Sequence, residues 1–268
     1  MIQFMKNSTR HRFTLVLSSL IVSLVFLSVS KAETTSDDGL SARAPVTDAS
    51  APLALIYKGP GSCSLDQGDA GTSGYGCSEA SADAATLAGF RFQYVAPRDS
   101  PDFSSAKVWI QPGGISDVAY DAMTPKLRSN LIKFVADGGG YVGFCAGAFL
   151  AADWFYIFPG SAHAYRYPVA RPDVGYNYLD LNWNGKARKV YFEGGPYLTD
   201  LGPKAEVTGK FSTGYVAAAR APYGKGRVYI TGAHPEAPAI WSQEDGITDP
   251  DGSDLDLAAE MITWASGN

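Results

Sequence analysis

Two kinds of apolar run divide the chain. Residues 13–29 form one long uncharged stretch, preceded by Lys6, Arg10 and Arg12 and followed by Ser30-Lys31-Ala32. Beyond residue 52 the apolar runs are short, and glycine or proline closes most of them. The first pattern, with a basic start, an apolar middle and small residues before a cut, predicts a signal peptide over 1–32, cleaved after Ala32. The rival reading is an uncleaved anchor, since the run approaches the length that spans a bilayer. Ser30 and Ala32 favour cleavage, and with it no stable membrane insertion. Residues 33–52 are mainly Ser, Thr, Ala and Asp and read as a flexible leader. A single domain is expected over 53–268.

Within that domain the apolar positions predict alternating strands and helices. Strands are expected at 53–57, 90–95, 107–111 and 141–144, each short enough to be a buried strand. Residues 78–87 read as a helix of small residues that allows close packing. The clearest helix follows Thr124, which suits an N-cap, and Pro125, which suits the first helical turn. Leu127, Leu131, Phe134 and Val135 then share one face, and Gly138-Gly139-Gly140 ends it. Residues 146–152 suit a helix start and 255–264 a closing helix. Between them the pattern changes. Residues 154–178 are rich in aromatics without a clean period. Asn184-Gly185 between 178–183 and 186–192 is a hairpin signal, and a second hairpin is expected between 215–221 and 227–231. Strands alternating with helices predict an α/β fold, a mostly parallel central sheet flanked by helices, with β-hairpin additions in the C-terminal half.

Charge narrows the partners. The first 32 residues hold four of the 22 basic side chains and none of the 27 acidic ones, so the remaining 236 residues carry a formal charge of −9. Such a chain is repelled by phosphate backbones, and no nucleic-acid partner is expected. The three cysteines are Cys63, Cys77 and Cys145. In an exported protein Cys63 and Cys77 can close a short disulfide loop, worth roughly 3 kcal/mol. That pairing leaves Cys145 free; three free thiols are the alternative if the chain is not exported. Two cysteines without nearby histidines do not complete a zinc shell, so no metal and no cofactor is expected.

Candidate chemistry centres on Gly143-Phe144-Cys145-Ala146-Gly147, a cysteine between a strand and a helix with glycine two residues away on each side. This is the nucleophile-elbow pattern with cysteine in the serine position. Glycines let the flanks of so tight a turn approach each other, and a helix N-terminus favours thiolate. The competing reading is a small buried core cysteine. A thiolate nucleophile needs a base. Beyond the signal segment only His163 and His234 remain. His234 follows a predicted strand, where open α/β sheets bind ligands, and Glu236 can hold its second ring nitrogen. The competing reading of this pair is a solvated turn. His163 lies in the irregular aromatic stretch and reads as a pocket or surface residue. Pro112-Gly113-Gly114, also after a strand, can supply an oxyanion donor at Gly114, with the amide of Ala146 as the second.

The order strand-Pro-Gly-Gly, Gly-x-Cys-x-Gly and His-Pro-Glu resembles class I glutamine amidotransferase-like domains. Leu55-Ile-Tyr-Lys-Gly-Pro-Gly61, Gln111-Pro-Gly-Gly114, Phe192-Glu-Gly-Gly-Pro196 and Gly224-Lys-Gly-Arg-Val228 look, more narrowly, like the amidotransferase-like domain at the N-terminus of biotin–protein ligases. The resemblance implies a flavodoxin-like fold, a triad of Cys145, His234 and Glu236, and an oxyanion hole at Gly114 and Ala146. It implies action on the C–N bond of a small-molecule or peptide amide. No synthetase domain follows in this sequence, and export is unlike metabolic amidotransferases, so glutamine as the substrate stays open. The alternative is a non-catalytic or degenerate binding module of the same fold.

Overall fold

The computed structural model describes residues 43–63, 75–166 and 176–267, all within one compact unit spanning 38–268. The expected signal peptide and the start of the leader lie outside the described residues. Residues 43–52 contain no helix or strand.

β1 (Leu53–Tyr57) is buried at every position. Its side chains alternate between two cores: Ala54 and Ile56 face one, and Leu53, Leu55 and Tyr57 the other. A strand covered on both faces has no polar side to display, which explains its unbroken apolar run. α1 (Cys77–Leu87) leads to β2 (Arg91–Val95), and β3 (Ala106–Gln111) follows. α2 (Ser116–Ala122) and α3 (Pro125–Asp137) come next. The Thr124 hydroxyl accepts from the Leu127 amide at 3.2 Å, as a cap should. Gly138 ends the helix at φ 130°, a conformation that favours glycine. β4 (Gly140–Phe144) runs into the short α4 (Ala146–Phe149), which widens to a π turn over Leu150–Trp154.

The C-terminal half is almost wholly strand: β5 (Ser161–Ala164), β6 (Tyr176–Trp183), β7 (Lys186–Glu193), β8 (Pro196–Thr199), β9 (Glu206–Phe211), β10 (Val216–Tyr223) and β11 (Gly226–Thr231). α5 (Ala239–Glu244) and α6 (Leu255–Ser266) close it.

The eleven strands among the described residues form one mixed sheet, whose main path runs β2-β1-β3-β4-β11-β10-β9-β6-β7. β2, β1, β3, β4 and β11 are mutually parallel along that path. The remaining pairings are antiparallel. The expectation of a mostly parallel sheet therefore holds only for the first half of the path. The physical reason is the connections. A helix of adequate length returns the chain for a parallel strand, whereas tight turns such as Asn184-Gly185 and Gly224-Lys225 reverse it. The hairpins extend the same sheet, with β10 directly beside β11.

Two cores lie on opposite faces. One sits between the sheet and α1 and α6, with Val108, Ile110, Val142, Phe144 and Met261. The other lies under α2, α3 and α4, with Trp109, Tyr141, Leu127, Leu131 and Ile230.

Candidate active site

Three adjacent parallel strands end side by side. Gln111 of β3 pairs with Gly143 of β4, and Phe144 of β4 pairs with Thr231 of β11. The loops that leave their carboxyl ends thus start at one level. These loops carry Gly113-Gly114, Cys145 and His234, at the sheet edge where α/β proteins bind ligands.

Cys145 is the single residue between β4 and α4, at φ 46° and ψ −104°. A positive φ is rare for a residue with a side chain and stores about 1–3 kcal/mol. Its amide donates to the Thr231 carbonyl at 2.9 Å, which ties the turn to β11. Both flanking glycines are needed here. A Cβ on Gly143 would stand 2.5 Å from the Gly147 carbonyl oxygen, and one on Gly147 would stand 2.4 Å from that of Gln111. Cys145 is buried, with 5% of its surface exposed, and its thiol donates a 3.5 Å contact to the Glu193 backbone carbonyl.

Cys63 and Cys77 are joined by a disulfide, with Cα atoms 5.2 Å apart, and Cys145 is the free cysteine. The disulfide braces the Gly113-Gly114 loop. Cys63 donates its amide to the Gly113 carbonyl at 3.3 Å, and Ile115 donates to the Gly61 carbonyl at 2.9 Å. This bridge between Ser62 and Gly114 uses the Gly113 carbonyl and the Ile115 amide and leaves Gly114's own amide out of it. Gly114 has φ 127°, and a Cβ there would meet the Gly61 oxygen at 2.3 Å. Ala146 opens α4, where the first amides have no carbonyl partner within the helix.

His234 is 3% exposed and Glu236 only 1%. His234 Nδ1 lies 2.9 Å from Glu236 Oε1, and the His234 amide donates to the Tyr191 carbonyl at 2.8 Å. The rings of Tyr191 and Trp241 stand edge-on to the imidazole at 5.9 and 5.7 Å. Nε2 has no hydrogen-bond partner among the described residues, and the Cys145 sulfur is near enough for the two charges to interact. Burial alone would push the imidazole pKa down. The negative charges of Glu236 and of a Cys145 thiolate outweigh it and hold the pKa well above its ordinary value.

Cys145, His234 and Gly114 line one cavity of about 730 Å³. Its remaining wall includes Cys63, Tyr75, Tyr191, Trp241 and the acidic residues Glu193, Glu244 and Asp245. The Tyr191 hydroxyl donates to Asp245. Burial raises the Asp245 pKa and the charge of Glu244 adds to that, while the Tyr191 hydrogen bond opposes both. Burial likewise raises the Tyr191 pKa, with the charge of Glu193 adding.

Of the residues singled out in the sequence, the structure brings Cys145, His234, Glu236 and Gly114 together, with Ala146 beside Cys145. His163 stands apart on β5. It bonds the Thr199 hydroxyl at 2.9 Å and packs on Tyr197, away from the cavity. Sequence reasoning missed Glu193, Tyr191 and Trp241 as cavity residues. Phe192-Glu-Gly-Gly-Pro196 carried a usable signal, because paired glycines next to a strand mark a close approach of two backbones. A Cβ on Gly195 would lie 1.8 Å from the Gly232 oxygen. That contact lays the Glu193 loop against the His234 loop.

The α/β fold is similar to that of solved glutamine amidotransferase-type structures. The structure of PurLQS from Thermotoga maritima matches with a TM-score of 0.57 at 17% identity, covering 79% of this chain and 97% of that one. A crystal structure of a glutamine amidotransferase matches at 0.50 and 19% identity, covering 69% and 92%. A protein from Thermoplasma acidophilum described as a GMP synthase subunit matches at 0.50 and 14%, covering 80% and 94%. More narrowly, the family described as biotin-protein ligase, N terminal, matches residues 97–158, a span that includes Gly114 and Cys145. No curated protein sequence matches the chain.

Proposed function

We propose that the protein is an exported cysteine-dependent hydrolase of the amidotransferase-like class, acting on the C–N bond of a small-molecule or peptide amide. The observation that carries this reading is the buried His234–Glu236 pair, whose outer nitrogen has no hydrogen-bond partner among the described residues and lies within interaction range of the free cysteine. In the first half-reaction the Cys145 sulfur bonds to the amide carbon, and the tetrahedral oxyanion is held by the amides of Gly114 and Ala146. The C–N bond then breaks as His234 passes its proton to the leaving amine. In the second, His234 takes a proton from water, which attacks the thioester and returns the sulfur. Glu236 holds the ring and its charge. The disulfide is compatible with an oxidising compartment and supports export.

The reading predicts that uncharged iodoacetamide modifies Cys145 at pH 6–7, and that His234→Ala slows this about 100-fold. An amide screen with Cys145→Ala as blank defines the reaction. Modification of Cys145 that rises only above pH about 8.5, like a free thiol, would sink the catalytic reading and leave a binding module of this fold. A mature protein beginning at Glu33 by mass would support export.

A further inference from the structure

Outside the His234–Cys145 pair, the acidic and basic side chains among the described residues of the cavity wall are all acidic. Glu193, Glu244 and Asp245 line it, and no lysine or arginine stands among the described residues of its wall. Glu193 and Glu244 are exposed to solvent, and Asp245 is partly buried beside Tyr191. Tyr191 and Trp241 present rings on the same wall. A concave wall of one sign focuses its field into the opening, and aromatic faces beside carboxylates add attraction for a cation. Independently, the unpartnered and almost wholly buried Nε2 of His234 marks this cavity as the place where a reacting ligand is handled.

We infer that the substrate is a basic amide, one with an ammonium or guanidinium group within a side chain's length of the bond that is cut. This rests on the amide-hydrolase reading and narrows it. The positive group sits among Glu193, Asp245 and the Tyr191 and Trp241 rings while the carbonyl lies over Cys145. A carboxylate at that distance with no ammonium beside it would meet the acidic wall, which disfavours acidic peptides.

The test has two arms. With the disulfide intact, Cys145 is titrated with aminoethyl methanethiosulfonate, a cation, and sulfonatoethyl methanethiosulfonate, an anion. Each rate is divided by that of 2-mercaptoethanol. At low salt the cation should be favoured by about 10-fold or more, and the preference should fall at least about 3-fold in Glu193→Gln/Asp245→Asn or in 1 M salt. The Glu193→Gln change keeps the backbone carbonyl that contacts the thiol. The second arm needs no reactive thiol: Cys145→Ala should bind Nα-acetyl-lysinamide about 10-fold more tightly than its uncharged norleucine analogue. Equal or absent binding of the two amides, or a charge preference no larger than that of mercaptoethanol, overturns the inference. Reaction with uncharged iodoacetamide reports on the nucleophile separately, so failure of the charge preference leaves the hydrolase reading standing.

Discussion

Gly113 and His234 are in mutual contact: a Cβ built on Gly113 would stand 2.4 Å from His234 Cε1 and 3.2 Å from the Cys77 sulfur. The imidazole, the Gly113-Gly114 loop and the disulfide thus share one small space. Gly113→Ala is expected to push the ring off Cys145 and lower amide turnover about 10- to 100-fold. Because the adjustment is local, the unfolding midpoint should move far less than the rate. Unchanged kcat in the alanine variant would remove this packing from the account.

Glu236 holds the imidazole pKa of His234 above its ordinary value of 6.5. A raised folded-state pKa contributes stability that is fully present below pH 6.5 and fades as pH rises through the folded value. Glu236→Gln should therefore destabilise most at pH 6, by about 3 kcal/mol, and progressively less toward pH 9. Denaturant titrations at the two pH values check this, and a deficit that grows with pH would contradict it.

A second titrating group is not in the cavity wall. Asp254, just before α6, is 6% exposed, and its pKa is pushed up to about 7. Burial is the main cause, Asp251, Asp249 and Asp256 add to it, and Arg188 at 3.5 Å opposes it. An acid with a raised folded pKa loses stability as pH climbs from 3.8 to about 7. Asp254→Asn should match the parent near pH 4 and exceed it by about 1–2 kcal/mol at pH 8, solvent and Arg188 having reduced the full linkage. A variant less stable than the parent at pH 8 would show that the Arg188 pairing dominates.

Removing the disulfide with Cys63→Ser/Cys77→Ser should cost about 3 kcal/mol. It should also lower turnover, because the Ser62–Gly114 bridge is held by that clip. Thermal melting with and without reductant gives the first quantity. Full activity in the double variant would show that the Gly113-Gly114 loop keeps its place unaided.

Legibility followed how local each signal is. The Cys145 turn, the Thr124–Pro125 start and the Asn184-Gly185 hairpin were readable because neighbours in sequence fix them. Asn184 and Gly185 indeed take φ 49° and 82°. β9 was not readable: Glu206–Phe211 has a glycine inside it and exposed Glu206, Val207 and Lys210, and it becomes a strand by pairing with β10 and β6. β5 and β8 are four residues each and pair with one another. α2 lacks a side-chain cap, and α5 is a short helix of six residues. The triad candidates could be named singly, since histidine is scarce. Their company could not, because Glu193 and Tyr191 reach the cavity through backbone contacts with the distant His234 segment, and Trp241 through ring and side-chain contacts with Tyr191 and Tyr75.

The backbone at Cys145 has a consequence for what this fold would choose if catalysis were no concern. At φ 46° a glycine fits without strain, whereas any side chain is held there against its own preference. Cys145→Gly should melt higher than Cys145→Ala, which keeps the strain and loses the sulfur. The turn after β4 is thus a compromise against durability, with the reactive atom placed where the chain itself would have none.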